Sequence, residues 1–280
     1  MVQILKTPED LRTFSRSLRA QNKTLGFVPT MGALHEGHLT LARTALADCD
    51  AGIVSIFVNP KQFAPHEDFD RYPRQLEQDA KLLSTVGIGA VFAPEIDVMY
   101  PKDFQTTVSL SQVTKPLEGE FRPTHFAGVS TVVARLLLLV GADKAYFGEK
   151  DYQQLQLIKQ MAKDLAIPTE IVGVEIVRES SGLALSSRNA YLTAEERPIA
   201  DQLNVILKTM AAEFKSGDAI SDIENRAAQK LLRIGFGKID YITIRDANTL
   251  LPPTTQTKSH RILAAAFLGR TRLIDNIATD

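Results

Sequence analysis

The chain has 280 residues, 44% of them hydrophobic, and its 32 Lys and Arg against 33 Asp and Glu leave a formal net charge of -1. That is enough material for one large core or two modest ones. The charge balance, without a long basic block, removes the electrostatic case for nucleic acid as the main partner. The single cysteine, Cys49, excludes an intrachain disulfide framework and fits a reducing compartment.

In chain order, MVQILKTPEDLRTF becomes charged and periodic within six residues, so it is a poor secretory signal. It reads as part of the fold, and a cytoplasmic location is expected. Residues 24–29 (TLGFVP) and 51–58 (AGIVSIFV) read as buried parallel strands, with helical spacing over 38–48 (HLTLARTALAD) between them. A second amphipathic helix is predicted over 68–86, then a short strand at 90–92. Residues 129–142 (VSTVVARLLLLVGA) form the most apolar segment, but they carry Arg135 and fall short of the roughly 20 residues of a membrane span. A buried helix around 131–140 is predicted there, not an anchor. A strand at 144–147, a helix at 152–165 and a strand at 171–177 follow.

Alternation of this kind predicts an α/β fold with a Rossmann-like parallel sheet. Such sheets bind ligands at the C-terminal ends of their strands, where both TMGALHEGH and FGEKD fall. After about Arg188 the pattern changes. Thr193 with Glu196 three residues on predicts a capped helix. A second helix at 220–234, apolar runs at 239–245, 261–267 and 271–277, and a loop with Pro252 and Pro253 complete a smaller α+β region. The expected domains are 1–185, binding nucleotide and substrate, and 186–280, a lid. No internal repeat or low-complexity segment is visible.

HEGH is the first chemical signal. A helical zinc pair of the HExxH kind has its histidines four apart, whereas His35 and His38 are three apart, without cysteine or further histidine at ligand spacing. A reading in which one histidine caps the helix and the other faces solvent is equally compatible with the tetrapeptide alone. Its place between a strand and a helix favours phosphate. There, amide N–H groups and the helix dipole attract an anion, Gly37 allows close approach, and two imidazoles can donate to phosphate oxygens or, as imidazolium, stabilise a leaving pyrophosphate.

Six motifs in order, PTMGALHEGH, NPKQF, EDFDRYPR, RPTHFAGV, FGEKDYQQL and GLALSSRN, together with a late TRLIDN, closely resemble the pantoate–β-alanine ligase (pantothenate synthetase) family across essentially the whole chain. A lone HxGH would imply only the wider nucleotidyltransferase superfamily. The resemblance implies a ligase forming a C–N bond in pantothenate biosynthesis. Pantoate is first adenylated by ATP with release of pyrophosphate, and β-alanine then displaces AMP. Mg²⁺ accompanies the nucleotide, and a homodimer is expected, with neither nucleic acid nor membrane as partner.

The resemblance also implies site residues. His35, His38, Lys150, Ser186, Ser187 and Arg188 are the expected catalytic groups. The ATP site is expected to include Met31, Gly32, Ala33, Leu34, Glu36, Gly37, Gly148, Glu149, Asp151, Val177 and Leu185 besides those six. Gln62 and Gln154, with Asn59, Arg122 and His125, are expected to bind pantoate or β-alanine. Asp79 resembles a carboxylate that assists Mg²⁺. Amides suit the substrate site, because a carboxylate that must act as nucleophile is better held by neutral donors than by a tight Arg pair. Arg188 offers a fork-shaped guanidinium for phosphate.

Two departures stand out. Ser181 precedes Gly182 where the family pattern is often acidic, and Leu185 stands where methionine is frequent, a swap that roughly preserves volume. One rival reading is another HxGH nucleotidyltransferase acting on a phosphopantetheine-like substrate; the paired glutamines and the long second region argue against it. A nucleotide-binding regulatory or RNA-binding protein without turnover is a rival of another class. The balanced charge speaks against RNA, and intact His35, His38, Lys150 and Arg188 speak against a dead site.

Overall fold

The computed structural model describes residues 2–64, 67 and 69–279. Its elements run β1 (Gln3–Leu5), α1 (Pro8–Arg19), β2 (Leu25–Thr30), α2 (Glu36–Asp48), β3 (Ala51–Ile56), α3 (Leu76–Thr85), β4 (Ala90–Phe92), α4 (Ile96–Met99), α5 (Glu118–Phe121), α6 (His125–Val140), β5 (Lys144–Gly148), α7 (Tyr152–Asp164) and β6 (Glu170–Val174). Then come α8 (Arg197–Lys215), α9 (Ile220–Ile234), β7 (Ile239–Asp246), β8 (His260–Leu268) and β9 (Thr271–Ala278). Two compact units divide the chain. The first comprises Met1–Thr114, Arg122–Glu149 and Gln154–Glu175; the second comprises Lys115–Phe121, Lys150–Gln153 and Ile176–Asp280.

In the first unit six parallel strands lie in the order β1-β4-β3-β2-β5-β6. Their side chains alternate between two cores, as a strand's period of two requires. Phe27, Ile53, Phe92 and Phe147 enter a core with α1, α6 and α7. Val28, Val54, Val91 and Tyr146 enter another with α2 and α3. This is the expected Rossmann-like, three-layered α/β arrangement. The second unit packs α8 and α9 on an antiparallel sheet ordered β7-β8-β9, around Leu203, Leu207, Leu231 and Ile262. Segment Lys115–Phe121 joins it through Arg272, whose guanidinium donates to both oxygens of Glu118 at 3.0 and 2.6 Å, while the Tyr241 hydroxyl donates to the same carboxylate. Burial, reinforced by the Glu118 charge, pushes the Tyr241 phenol well above its usual range.

Three boundaries differ from the sequence expectation. The helix predicted over 68–86 begins at Leu76. Pro73 disfavours helical backbone at Tyr72, and the segment is instead held by Phe63 against the Phe69 and Tyr72 rings and by Arg74 donating to the Phe69 and Tyr72 carbonyls. Asp68 lies outside the described residues. The helix expected around 131–140 starts already at His125, so the RPTHF segment ends in its first turn. The last strand of the first sheet stops at Val174 rather than 177. The Thr193–Glu196 capping box forms as predicted, each residue's backbone N–H donating to the other's side chain, one turn ahead of α8 proper.

Candidate active site

The first unit presents TMGALHEGH at the C-terminal end of β2, NPKQ at that of β3 and Gly148–Glu149 at that of β5. These three strands are neighbours in a parallel sheet, so the loops leave from one edge. Thr30 closes β2 by donating to the Ser55 carbonyl and accepting from the Gly32 N–H. Gly32 (φ +84°) and Ala33 (φ +52°) then turn the chain in the left-handed region. That is easy for glycine, where a Cβ would also meet Asp79 Oδ2 at 3.0 Å, and unfavourable for alanine.

Both histidines cap α2. His35 Nδ1 accepts from the Gly37 N–H at 3.1 Å, and His38 Nδ1 accepts from the His35 N–H at 3.3 Å. The rings lie 4.2 Å apart between centroids. An imidazole nitrogen that accepts carries no proton, so the N–H of each ring sits on Nε2. One nitrogen of each ring thus serves the cap of α2.

Four of the loop amides donate to side chains within the chain. Ala33 and Leu34 donate to Asp79 Oδ2 and Oδ1, both at 3.0 Å, and His35 and Gly37 donate to imidazoles. These N–H groups already have acceptors within the chain.

Asn59 is buried and fully committed. Its Nδ2 donates to Gln62 Oε1 (3.1 Å) and the Gly128 carbonyl (3.2 Å), and its Oδ1 accepts from Tyr100 and the Lys61 N–H. It braces Gln62 rather than reaching outward. Gln62 Nε2 lies 3.0 Å from Met31 Sδ, joining the NPKQ turn to the β2 loop. The Gln62 carbonyl accepts from His125 Nδ1 at 2.8 Å, so that this nitrogen carries a proton. Arg122 is paired with Glu67 through two hydrogen bonds of 2.7 and 2.8 Å. Burial alone would raise the Glu67 carboxyl, but the Arg122 hydrogen bond and charge outweigh it and hold the group below its usual range. Gln154 is half-buried on α7.

The second unit holds the remaining candidates. Lys150 lies in the turn Glu149–Asp151, with Nζ 3.8 Å from the Asp151 carboxylate and its carbonyl accepting from Asn276 Nδ2 at 2.9 Å. Ser186 caps the turn Ser187–Tyr191 by accepting from the Arg188 N–H. Val177 and Leu185 shape the hairpin leading to it, through the Leu185 N–H donating to the Val177 carbonyl. Asn189 closes this hairpin on Glu179 and the Ala184 carbonyl. Ser187, Arg188, Val177 and Leu185 are half-buried. Ser181 donates to Asp201 at 2.8 Å, so the departure from an acidic residue places a donor against a carboxylate where an acid would repel it.

Sequence reading missed three supports. Arg178, paired with buried Asp275 through two bonds of 2.8 Å, ties the hairpin to β9. Asn276, the last residue of TRLIDN, holds Lys150. Gly128 of RPTHFAGV lets α6 lie directly on the Lys61 carbonyl, 2.1 Å from where a Cβ would stand. The last two motifs were visible as strings, but only their packing assigns them work.

For Mg²⁺, no group of three or more metal-binding side chains occurs among the described residues. Asp79 has no exposed surface and both its oxygens accept from amides, with Gln75 Nε2 adding a third donor at 3.3 Å. Asp79, engaged in this way, does not fit direct coordination of an ion.

A family sequence model described as Pantoate-beta-alanine ligase matches residues 3–278. Pantothenate synthetase of Caulobacter vibrioides is 51% identical over 278 residues, covering 98% of each chain. That of Dinoroseobacter shibae is 50% identical over 279 residues, covering 99% of each. Among solved structures, pantothenate synthetase from Thermus thermophilus superposes with a TM-score of 0.92 at 43% identity over 99% of each chain. Pantoate-beta-alanine ligase from Francisella tularensis, complexed with beta-gamma ATP and beta-alanine, superposes with a TM-score of 0.84 at 36% identity, over 100% of this chain and 98% of that one.

Proposed function

The chain belongs to the pantoate-beta-alanine ligase family, and on that premise we propose that it condenses pantoate with β-alanine at the expense of ATP. In the first step a pantoate carboxylate oxygen attacks the α-phosphorus, the bond to pyrophosphate breaks, and pantoyl adenylate forms. In the second, the β-alanine amine attacks the acyl carbon, AMP leaves, and the nitrogen loses a proton to give the amide of pantothenate.

The observation that carries the reading is the double capping of α2, in which Nδ1 of both His35 and His38 accepts a backbone N–H. Two Nε2–H donors preset at the start of α2 suit charge building on phosphate oxygens during in-line substitution, without needing protonation. Lys150, Ser186, Ser187 and Arg188 add donors and positive charge for the triphosphate, with Asp151 beside the lysine. Gln62 and Gln154 hold the pantoate carboxylate through neutral donors. Asn59 fixes Gln62, and Arg122 and His125 wall the same turn. Mg²⁺, carried by nucleotide phosphates and water, would neutralise phosphate charge; no protein ligand is assigned to it.

Within this proposal 1–185 binds nucleotide and pantoate and 186–280 serves as a lid. A homodimer and a cytoplasmic location belong to it as well. The buried, unpaired Cys49 suits the latter, and no helix among the described residues is long and apolar enough to cross a membrane. The deciding experiment is exchange of labelled pyrophosphate into ATP with pantoate present and β-alanine absent. Pantoate-dependent exchange supports reversible adenylation. Its absence in folded protein that binds ATP removes the two-step reading.

A further inference from the structure

We propose that Asp79 is a positioning residue, whose buried carboxylate holds the strained Gly32–Leu34 turn so that His35 and His38 are presented in register, and that it is not a ligand of the nucleotide's metal ion. The inference rests on the reading of the two histidines as phosphate donors. Its argument is independent of which acid is activated.

Asp79 stands in the first turn of α3, two elements away in sequence from the loop it touches. Its residue has no exposed surface. Consecutive N–H groups of Ala33 and Leu34 each donate to one of its oxygens at 3.0 Å, and the next N–H, that of His35, donates to His38 Nδ1. Three successive amides are thus committed to two side chains, and the last of these bonds is the cap that sets the His38 tautomer. Ala33 sits at φ +52°, which an L-residue adopts only when something holds it there. A carboxylate accepting paired amide N–H groups is a strong such hold, because charge-assisted bonds exceed neutral ones. Gln75, the residue before α3, donates to the same carboxylate and orients it. With both oxygens engaged and no surface open, a cation lacks a direction of approach.

The test compares Asp79→Asn with the wild type. The asparagine amide presents a donor to one of two amide donors, so one hold is lost while volume is kept. Backbone hydrogen exchange over residues 30–38 should quicken by about tenfold or more while strands β2 and β3 keep their protection. The maximal rate of pantoate-dependent pyrophosphate exchange should fall by about ten- to a hundredfold, as expected for misplacement on the order of 1 Å. The Mg²⁺ concentration giving half that rate should stay within about twofold, since no ligand of the ion is lost. Adding Ala33→Gly to Asp79→Asn should recover about fivefold of the rate, because glycine adopts the left-handed turn without the steric penalty that alanine meets there.

Unchanged exchange over 30–38 overturns the proposal. So does a tenfold rise in the half-saturating Mg²⁺ concentration with an intact loop, which would return Asp79 to the ion. Should Asp79→Asn not fold, the wild type decides: Ala33 and Leu34 amides protected like those of β2 support the hold, and exchange at the rate of exposed loops overturns it. If the wild type shows no pantoate-dependent exchange, the ligase reading fails, while the hydrogen-exchange comparison still decides the role of Asp79.

Discussion

Replacing Gly128 by alanine is the sharpest perturbation that the NPKQ turn offers. An added Cβ would stand 2.1 Å from the Lys61 oxygen, 2.4 Å from its carbonyl carbon and 2.7 Å from the Gln62 nitrogen. Ordinary contact begins near 3.4 Å, so α6 and the NPKQ turn must separate by about 1 Å. Both obstacles are backbone and cannot swing aside. The same separation stretches the Asn59 bond to the Gly128 carbonyl and the His125 bond to the Gln62 carbonyl. Overpacking of this kind destabilises by about 1–3 kcal/mol, which for a chain of this size lowers Tm by a few degrees, roughly 2–4 °C per kcal/mol. Misplacing Gln62 by about 1 Å should lower kcat/KM for pantoate by roughly a hundredfold. Steady-state kinetics with each substrate varied in turn, beside thermal unfolding, make the assay. Gly237→Ala, where an added Cβ meets nothing within 4 Å, is the control. A Gly128→Ala enzyme within about twofold of wild type for pantoate would refute the geometry claimed for Gln62.

Gln62→Glu replaces the amide donor by a negative charge opposing the substrate carboxylate, so KM for pantoate should rise far more than KM for ATP; equal effects count against a pantoate role. His38→Gln should lower the adenylation rate by about a hundredfold while the pH profile keeps both limbs, as expected of a neutral Nε2–H donor; loss of a limb would identify a proton donor instead. Asn276→Ala frees the Lys150 carbonyl and should lower kcat by about tenfold with KM for pantoate little changed, a split that stopped-flow measurement of the first step would resolve. Glu67 has its folded pKa held below the usual carboxylate value, so its pairing with Arg122 contributes stability above pH 4.5 that is lost as pH falls through the lowered folded value. Acid unfolding of Glu67→Gln should therefore be shallower than that of wild type in that range, and parallel curves would show the pair to be inert.

Much of the fold was legible because it is local. Continuous apolar runs marked β2, β3 and β5, helical spacing marked α2 and α7, and the Thr193–Glu196 box announced α8. The HEGH segment was legible as a cap for the same reason: its capping partners lie within three residues. The start of α3 was not, since the amphipathic pattern continues upstream of Pro73 while an aromatic cluster holds that stretch in another conformation.

By itself the sequence determined the residue types at the site, the alternation that makes a parallel sheet, and the family to which the motifs belong. Only the tertiary structure decided what supports those residues. Asp79 meets residues 33 and 34 through α3, Asn276 meets Lys150 across 126 positions, and Arg122 meets Glu67 across 55. Periodicity and capping act over one or two turns of chain. A buried carboxylate's choice of amides, or a glycine's bare contact with a carbonyl, is set by which elements pack together, and that depends on the sum of every buried side chain rather than on any one stretch.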